Sequence, residues 1–422
     1  MSLTERDPLV ELRRDLHRYP EPAWREFHTT SRIVDEIERI GVDELHLGRD
    51  ALASEERMAV PDAEELASWA DRARENGARE DVLTAAEGGH TGAVAVLENG
   101  DGPTVALRVD IDALPQPESD SPEHLPAAEG FRSEVDGHMH ACGHDAHATI
   151  GLGVLERVKQ SAFSGTLKLF FQPAEEVVGG GKAMAESGHL DDVDHLLALH
   201  VGLDYPTGEI VAGIDGFLAV AQLHAEFTGH PGHAGAKPEE GQNAVQAMAA
   251  AVQGLYGIPR HSDGATRVNA GRVEGGTASN IIPESATMEI EVRGETTELK
   301  EYVHERAIDA LEGAARSYGC AVDVDVVGDA PSATSDESLV ELVANAADSV
   351  DSVESLVRRG DIGGSEDATY LMEHVQENGG DACYVGVGTS HPGGHHTATF
   401  DVEEETIPIG VETIADAIGR LG

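Results

Sequence analysis

Apolar residues recur at three- and four-residue spacing over residues 8–18 and 29–40, the pattern of helices that bury one face. Residues 50–87 are rich in Ala and Glu and carry no strand pattern, so the first ninety residues read as helical, with the later part an added helical excursion. After Gly89 the pattern changes to short β-type runs separated by turns and helices. It predicts strands over 93–97, 104–109, 166–171 and 195–200, and a helix over 149–160. Such alternation describes an α/β unit, a mixed sheet with helices on both faces.

A second region begins near Gly216. Strands are predicted over 218–228, 266–273, 287–293 and 321–327, with helices over 243–256 and 297–318. Strand, helix, strand, strand, helix, strand is the order of a ferredoxin-like α+β unit. From about Pro331 the chain returns to helices over 337–346 and 366–376, a buried strand over 382–387 and a last helix over 405–421. The expected organisation is therefore one domain built from 1–215 and 328–422, interrupted by an inserted domain at 216–327.

Charge narrows the setting. The chain has 422 residues, 29 basic and 78 acidic, for a formal net charge of -49, yet it is 40% hydrophobic and so can build a core. Phosphate contacts need clustered Lys and Arg, so nucleic acid is an unsuitable partner. No run reaches the 18 or more apolar residues of a membrane span, and the start is charged, so a cytoplasmic protein is expected. Lys159, Lys168, Lys182, Lys237 and Lys300 are the only lysines. An acidic surface so poor in Lys fits a very salty, halophile cytoplasm, because in 1 M salt the Debye length falls to about 3 Å and self-repulsion is screened. Three cysteines, Cys142, Cys320 and Cys383, make no disulfide framework and fit a reducing compartment.

Four segments carry metal-type chemistry. Residues 138–147 read HMHACGHDAH, with Cys142 and His144 two apart. Thiolate and imidazole are the ligands that borderline-soft divalent ions prefer. QPAEE (172–176) places adjacent carboxylates, Glu175 and Glu176, just beyond a strand, where the pair needs a cation or a proton. LLALH ends a buried strand on His200, and GGHHTATF carries His395 and His396 after another. Cys142, His144, one of the two Glu, His200 and one of the two His make five ligands and leave a second Glu outside the set. A tetrahedral structural zinc needs four. Five ligands with an adjacent Glu suit two divalent ions and hydrolysis assisted by them.

These motifs, with RVDIDALP (108–115), HAGAKPEEG (233–241), ASNIIP (278–283), GGSEDATY (363–370) and GHHTATFD (394–401), resemble the M20-type metallopeptidases, in their amidohydrolase branch. The resemblance runs from about residue 92 to 401. It implies metal ligands Cys142, His144, Glu176, His200 and His396, the last because the family's ligand His stands four residues before the Phe. It implies Glu175 as general base, and Asp110 and Asp112 as acidic residues of which at least one orients a His ligand. The inserted unit would be a lid and dimerisation domain. There His233 would stabilise the oxyanion in a neighbouring subunit's site, Asn280 would contact substrate, and Arg293 would pair with the substrate's carboxylate. Cofactors would be two divalent ions (Mn, Zn or Co), and the assembly a homodimer or a heteromer with a homologous subunit. The segment over 50–89, with 131–147 and 365–376, resembles the aminobenzoyl-glutamate hydrolase branch, in the first of that enzyme's two kinds of chain. The expected activity is amide hydrolysis of N-acyl or N-aroyl amino acids, aminobenzoyl-glutamate-like or hippurate-like. Two alternatives are a broader dipeptidase or aminoacylase, and a metal-bound, non-catalytic subunit of a two-part hydrolase.

Overall fold

The computed structural model describes residues 7–391 and 393–422; residues 1–6 of the charged start and Pro392 of the HPGGHH stretch lie outside it. Two compact units result, one of residues up to 215 with 333–362 and 367–422, the other of 216–332 with 363–366.

In chain order the first unit contains α1 (Pro8–Arg18), α2 (Phe27–Ile40), β1 (Glu44–Leu47), α3 (Ala63–Glu75), α4 (Glu80–Ala85), β2 (Ala93–Glu98), β3 (Thr104–Asp110), α5 (His144–Lys159), β4 (Thr166–Gln172), β5 (His195–Val201) and β6 (Glu209–Val211). The second unit supplies β7 (Ala219–Thr228), α6 (Ala244–Tyr256), β8 (Thr266–Gly275), β9 (Ser285–Gly294), α7 (Thr297–Ser317) and β10 (Ala321–Ala330). The chain then returns through α8 (Glu337–Ala347), β11 (Ser355–Val357), α9 (Ala368–Glu377), β12 (Asp381–Val387) and α10 (Thr406–Gly419).

Eight strands form the large sheet in the order β1-β2-β4-β3-β5-β12-β6-β11. The four central strands run parallel, while β1 on β2, β2 on β4 and β6 on β12 are antiparallel. Strand pleating sends alternate residues to opposite faces. Val105, Leu107, Leu169, Leu197, Leu199 and Val385 join one core with α1, α2, α5, α8 and α10. The intervening residues face the side where α9 packs on β5 and β12. Burial on both faces explains why these strands read as nearly continuous apolar runs. No helix among the described residues is long and apolar enough to cross a membrane.

Two expectations need correction. The first ninety residues are not wholly helical: Glu44–Leu47 pairs with Val96–Ala93 as an antiparallel strand. Four residues are too few for alternation to register in sequence, and the partner strand lies about fifty residues on. The helix predicted from residue 149 begins at His144. Its first turn carries His, Asp and His, so apolar periodicity starts a turn after the helix does.

In the second unit, β8-β9-β7-β10 form an antiparallel sheet. Its apolar face, including Leu223, Phe227, Met288, Ile290 and Val292, packs with α6 and α7. Their neighbours along the strands, Gln222, His224, Glu289 and Glu291, remain at least partly exposed, which is the alternation expected of a sheet covered on one side.

Candidate metal centre

The parallel strands end together, with Asp110 opposite Gln172 and Gly386 opposite His200. His200 stands in the last pleat of β5 itself, and the loops after β3, β4 and β12 bring in the other candidate ligands, at the carboxyl edge where open α/β sheets place their sites. Gly143 enables the sharp turn between Cys142 and His144. Its φ is +94°, and a Cβ would lie 2.5 Å from Val201 Cγ2, so a side chain would be both strained and clashing. His144 then opens α5, with His147 one turn later and their rings stacked at 5.1 Å.

Cys142, His144 and His200 place one potential ligand atom each within 4.8 Å of one another, and so do Cys142, Glu176 and His396. The sulfur belongs to both groups. Cys142 Sγ stands 3.3 Å from His200 Nε2, and His396 Nε2 stands 3.5 Å from Glu176 Oε2. His200 Nδ1–H donates to the Val201 carbonyl at 2.7 Å, which leaves the Nε2 lone pair facing the sulfur. His144 is buried, its Nδ1 is 3.3 Å from Asp112, and its Nε2 makes no hydrogen bond. A buried, unpaired imidazole nitrogen beside a thiol and carboxylates is the donor set a divalent cation satisfies. Burial and the Glu176 charge raise the Cys142 thiol well above its ordinary range, so sulfur ligation would have to displace its proton.

Glu175 and Glu176 lie on a turn held by other carboxylates. Asp112 Oδ1 and Oδ2 accept the N–H groups of Glu175 and Glu176, each at 3.1 Å, and Glu26 Oε1 accepts that of Ala174 at 2.9 Å. Three successive backbone donors are captured, with Ala174 in the left-handed region at φ +57°. Burial, and then the Asp112 charge, push Glu26 up to about 8. Asp110 bonds His147 Nδ1 and accepts Arg108 Nη1 at 2.8 Å, while Val201 N–H donates to His147 Nε2. Burial opposes the Asp110 charge, but nearby His144, His147 and Arg108 outweigh it and hold the carboxyl well below its usual range. Arg108 also bonds Gln172, whose amide reaches Asp367 at 2.6 Å.

Glu26, His147 and Asp367 have no role in the sequence reading. His147 at three residues beyond His144 had the helical spacing to be found. Glu26 and Asp367 had no local signal, because their partners lie far along the chain. The HMHACGHDAH tract also divides: His138 packs edge-on to Trp69, and buried His140 belongs to none of the ligand groups found among the described residues.

Behind Asp145, the residue after His144, lies a buried ion network. Asp145 pairs with Arg13 and with His17 Nδ1, each at 2.8 Å; His17 Nε2 pairs with Glu118 at 2.9 Å, and Arg13 reaches Asp401 at 2.6 Å. With a carboxylate at each ring nitrogen, His17 is an imidazolium. Burial works against that charge, but hydrogen bonds to Asp145 and Glu118 outweigh it and raise His17 to about 9. A raised pKa contributes stability that is complete below the unfolded value of about 6.5 and disappears as pH rises through 9. The contribution is on the order of 3 kcal/mol. Thermal melts from pH 7 to 10 should therefore fall more steeply for the wild type than for His17→Gln; equal slopes would show that His17 carries no such linkage.

In the second unit His233 and Asn280 share a short ribbon in which Ile281 pairs with His233. His233 Nδ1 accepts from the N–H groups of Gly235 and Ala236, so the neutral ring carries its proton on Nε2. The carbonyl of Asn280 accepts from Ala234. Arg293 is half-buried and grips Glu291 through Nε and Nη2, with Nη1 on Ser365.

A buried Cys, His and Glu constellation at the carboxyl edge of a mixed sheet, beside a second Glu, defines a metal-dependent hydrolase. The chain belongs to peptidase family M20/M25/M40, which matches residues 106–420. It is 45% identical over 96% of its length to the indole-3-acetyl-aspartic acid hydrolase of Enterobacter agglomerans, of which 94% is covered. It is 42% identical, with the same coverages, to a p-aminobenzoyl-glutamate hydrolase subunit of Escherichia coli K12. Among solved structures it is similar to an aminobenzoyl-glutamate utilization protein from Klebsiella pneumoniae (38% identity, TM-score 0.85, covering 98% and 95% of the two chains). It is also similar to a dinuclear metal binding peptidase of the M20 family from Bacillus subtilis (26% identity, TM-score 0.65, 98% and 97%).

Proposed function

We propose that the chain hydrolyses the amide bond between an acyl or aroyl group and an acidic amino acid, using two divalent ions held by Cys142, His144, Glu176, His200 and His396. The observation that carries this reading is the sulfur of Cys142, which lies in both ligand groups, next to the Glu175–Glu176 turn. The names of the relatives at 45% and 42% identity, an indole-acetyl-aspartate hydrolase and an aminobenzoyl-glutamate hydrolase subunit, support the substrate class. The dinuclear site of the Bacillus subtilis peptidase supports the count of two. When bound, the ions supply Lewis acidity that polarises the scissile carbonyl and acidifies water; Mn, Zn and Co all suit the ligand mix.

The chain's own residues do the rest. Glu175 takes the proton of the attacking water and delivers it to the leaving nitrogen, while Asp112 holds the Glu175 backbone in place. Asp110 fixes the tautomer of His147, and Asp112 faces His144 Nδ1 so that Nε2 is the donor atom. The unit containing 216–332 serves as lid and dimerisation domain. His233 Nε2–H donates to the oxyanion in a neighbouring subunit's site, Asn280 orients the substrate, and Arg293 takes its carboxylate in exchange for Glu291. The Escherichia coli relative, named as one subunit of its hydrolase, supports assembly with a second kind of chain as well as with a like one. The charge of -49 supports a high-salt setting.

A panel of aminobenzoyl-glutamate, indole-acetyl-aspartate, hippurate and simple dipeptides, assayed with added Mn, Co or Zn from low to molar salt, tests these assignments. The acyl-acidic amino acid conjugates should give the highest kcat/KM, and both activity and melting temperature should rise with salt. Faster turnover of dipeptides would move the chain to the broader dipeptidase reading. Inactivity of the purified chain, relieved by a co-expressed homologous subunit, would make it the metal-bound half of a two-part hydrolase. Full activity in dilute buffer would remove the high-salt reading.

A further inference from the structure

The ligand set leaves His395 unused, although its ring touches the shared sulfur. Nδ1 of His395 lies 3.6 Å from Cys142 Sγ, and Nε2 accepts the backbone N–H of Leu203 at 3.0 Å. A ring nitrogen that accepts a hydrogen bond carries no proton, so the proton of this imidazole is on Nδ1, the atom facing the sulfur. The same bond excludes two other states. An imidazolium, or a ring bound to a metal through Nδ1 with its proton on Nε2, would set Nε2–H against the Leu203 N–H.

The surroundings hold this arrangement. Immediately after β5, Gly202, Leu203 and Asp204 lie in succession in the left-handed region at φ +83°, +53° and +64°. For Leu that conformation is strained, and it is here that the Leu203 N–H meets the ring. Gly202 makes room for it: a Cβ would lie 2.6 Å from His395 Nε2. Phe400 packs on the ring at 4.7 Å between centroids, and His200 and His391 each stand at 5.3 Å.

We propose that His395 is a positioning residue that donates an N–H···S hydrogen bond to the Cys142 thiolate, aiming the sulfur and withdrawing electron density from it. The inference rests on Cys142 being a metal ligand. A metal-bound thiolate is a strong electron donor, and a hydrogen bond to it would weaken that donation and so preserve the Lewis acidity of the metal it holds. This would give the two adjacent histidines different tasks, His396 as ligand and His395 as the donor to a ligand.

Cobalt(II) substitution of the full-length protein tests it through the thiolate-to-cobalt charge-transfer band and the cobalt content. Wild type should show the band with two cobalt ions per chain, and Cys142→Ser should lose it. His395→Leu should keep both ions but move the band to longer wavelength, because the sulfur donates more strongly, while losing its aim lowers metal affinity by about 10–100-fold. His395→Gln, which retains an N–H donor, should restore the band toward its wild-type position. No band in wild type would end the ligand reading of Cys142 itself. With the band present, an unmoved maximum in His395→Leu would overturn the hydrogen bond, and loss of one cobalt would make His395 a ligand instead. Should His395→Leu fail to fold, imidazole nitrogen NMR of the zinc-loaded wild type decides: Nδ1–H supports the donor, and Nε2–H overturns it.

Discussion

Replacing Glu175 by Gln is expected to lower turnover by about 10²–10⁴-fold, the usual scale of a lost general base, while metal content and KM change little. Gln has the shape of Glu and cannot take a proton. The turn itself does not depend on the side chain, because Asp112 and Glu26 hold the backbone N–H groups of residues 174 to 176. Glu175 Oε2 stands 3.9 Å from His144 Nε2, beside the ligand set. Steady-state kinetics with elemental analysis of the same sample check the expectation. A variant with full metal content and near-normal rate would take Glu175 out of the mechanism, and one that lost its metal would make it a ligand.

Replacing Cys142 by Ser should do more, removing metal and activity together. The sulfur is common to the Cys142, His144, His200 group and the Cys142, Glu176, His396 group, so its loss weakens both. A Ser hydroxyl stays protonated near neutral pH and is a poor ligand, whereas a metal-bound thiol is deprotonated outright. By contrast His200→Ala touches one group, and one ion should remain. Metal titrations of the two variants separate these outcomes; a Cys142→Ser protein that keeps two ions at unchanged affinity would show that the sulfur is not needed to hold them. Since burial and the Glu176 charge raise the thiol, metal binding in wild type should release a proton and weaken as pH falls.

Much of the fold could be read from the chain because its signals are local. The apolar runs of β3, β4, β5 and β12 are long enough and buried enough to declare themselves, and their structural ends lie within a residue or two of the expected ones. The strand and helix order of residues 219–330 is local information too, and it leads directly to a one-sided antiparallel sheet. Glu44–Leu47 escaped because a four-residue edge strand owes its existence to pairing with β2, not to its own pattern. The start of α5 escaped because its first turn is filled with polar residues serving other parts of the molecule.

Residue type is likewise legible without coordinates, since only Cys, His and carboxylates suit such ions and these residues stand in four tight segments. Role is less so. Sequence sets His144 apart but does not tell His138, His140 and His147 from one another, yet these three are a surface contact, a buried ring outside the ligand groups and a partner of Asp110. Glu26 and Glu175 look equivalent as carboxylates, yet one holds the turn on which the other sits.

By itself, then, the sequence determined most of the elements, which side chains can meet a divalent ion and how acidic the surface must be, for these depend on composition and on spacing within a few residues. Only the tertiary structure decided that Cys142 lies in two of the ligand groups, that Asp112 and Glu26 clasp the Glu175 turn, and that the His395 ring stands between the Cys142 sulfur and the Leu203 N–H. The hydrogen bonds among these relations join residues 63 to 253 apart in the chain. Such distances are set by parallel strands ending at a common edge, and no local pattern encodes them.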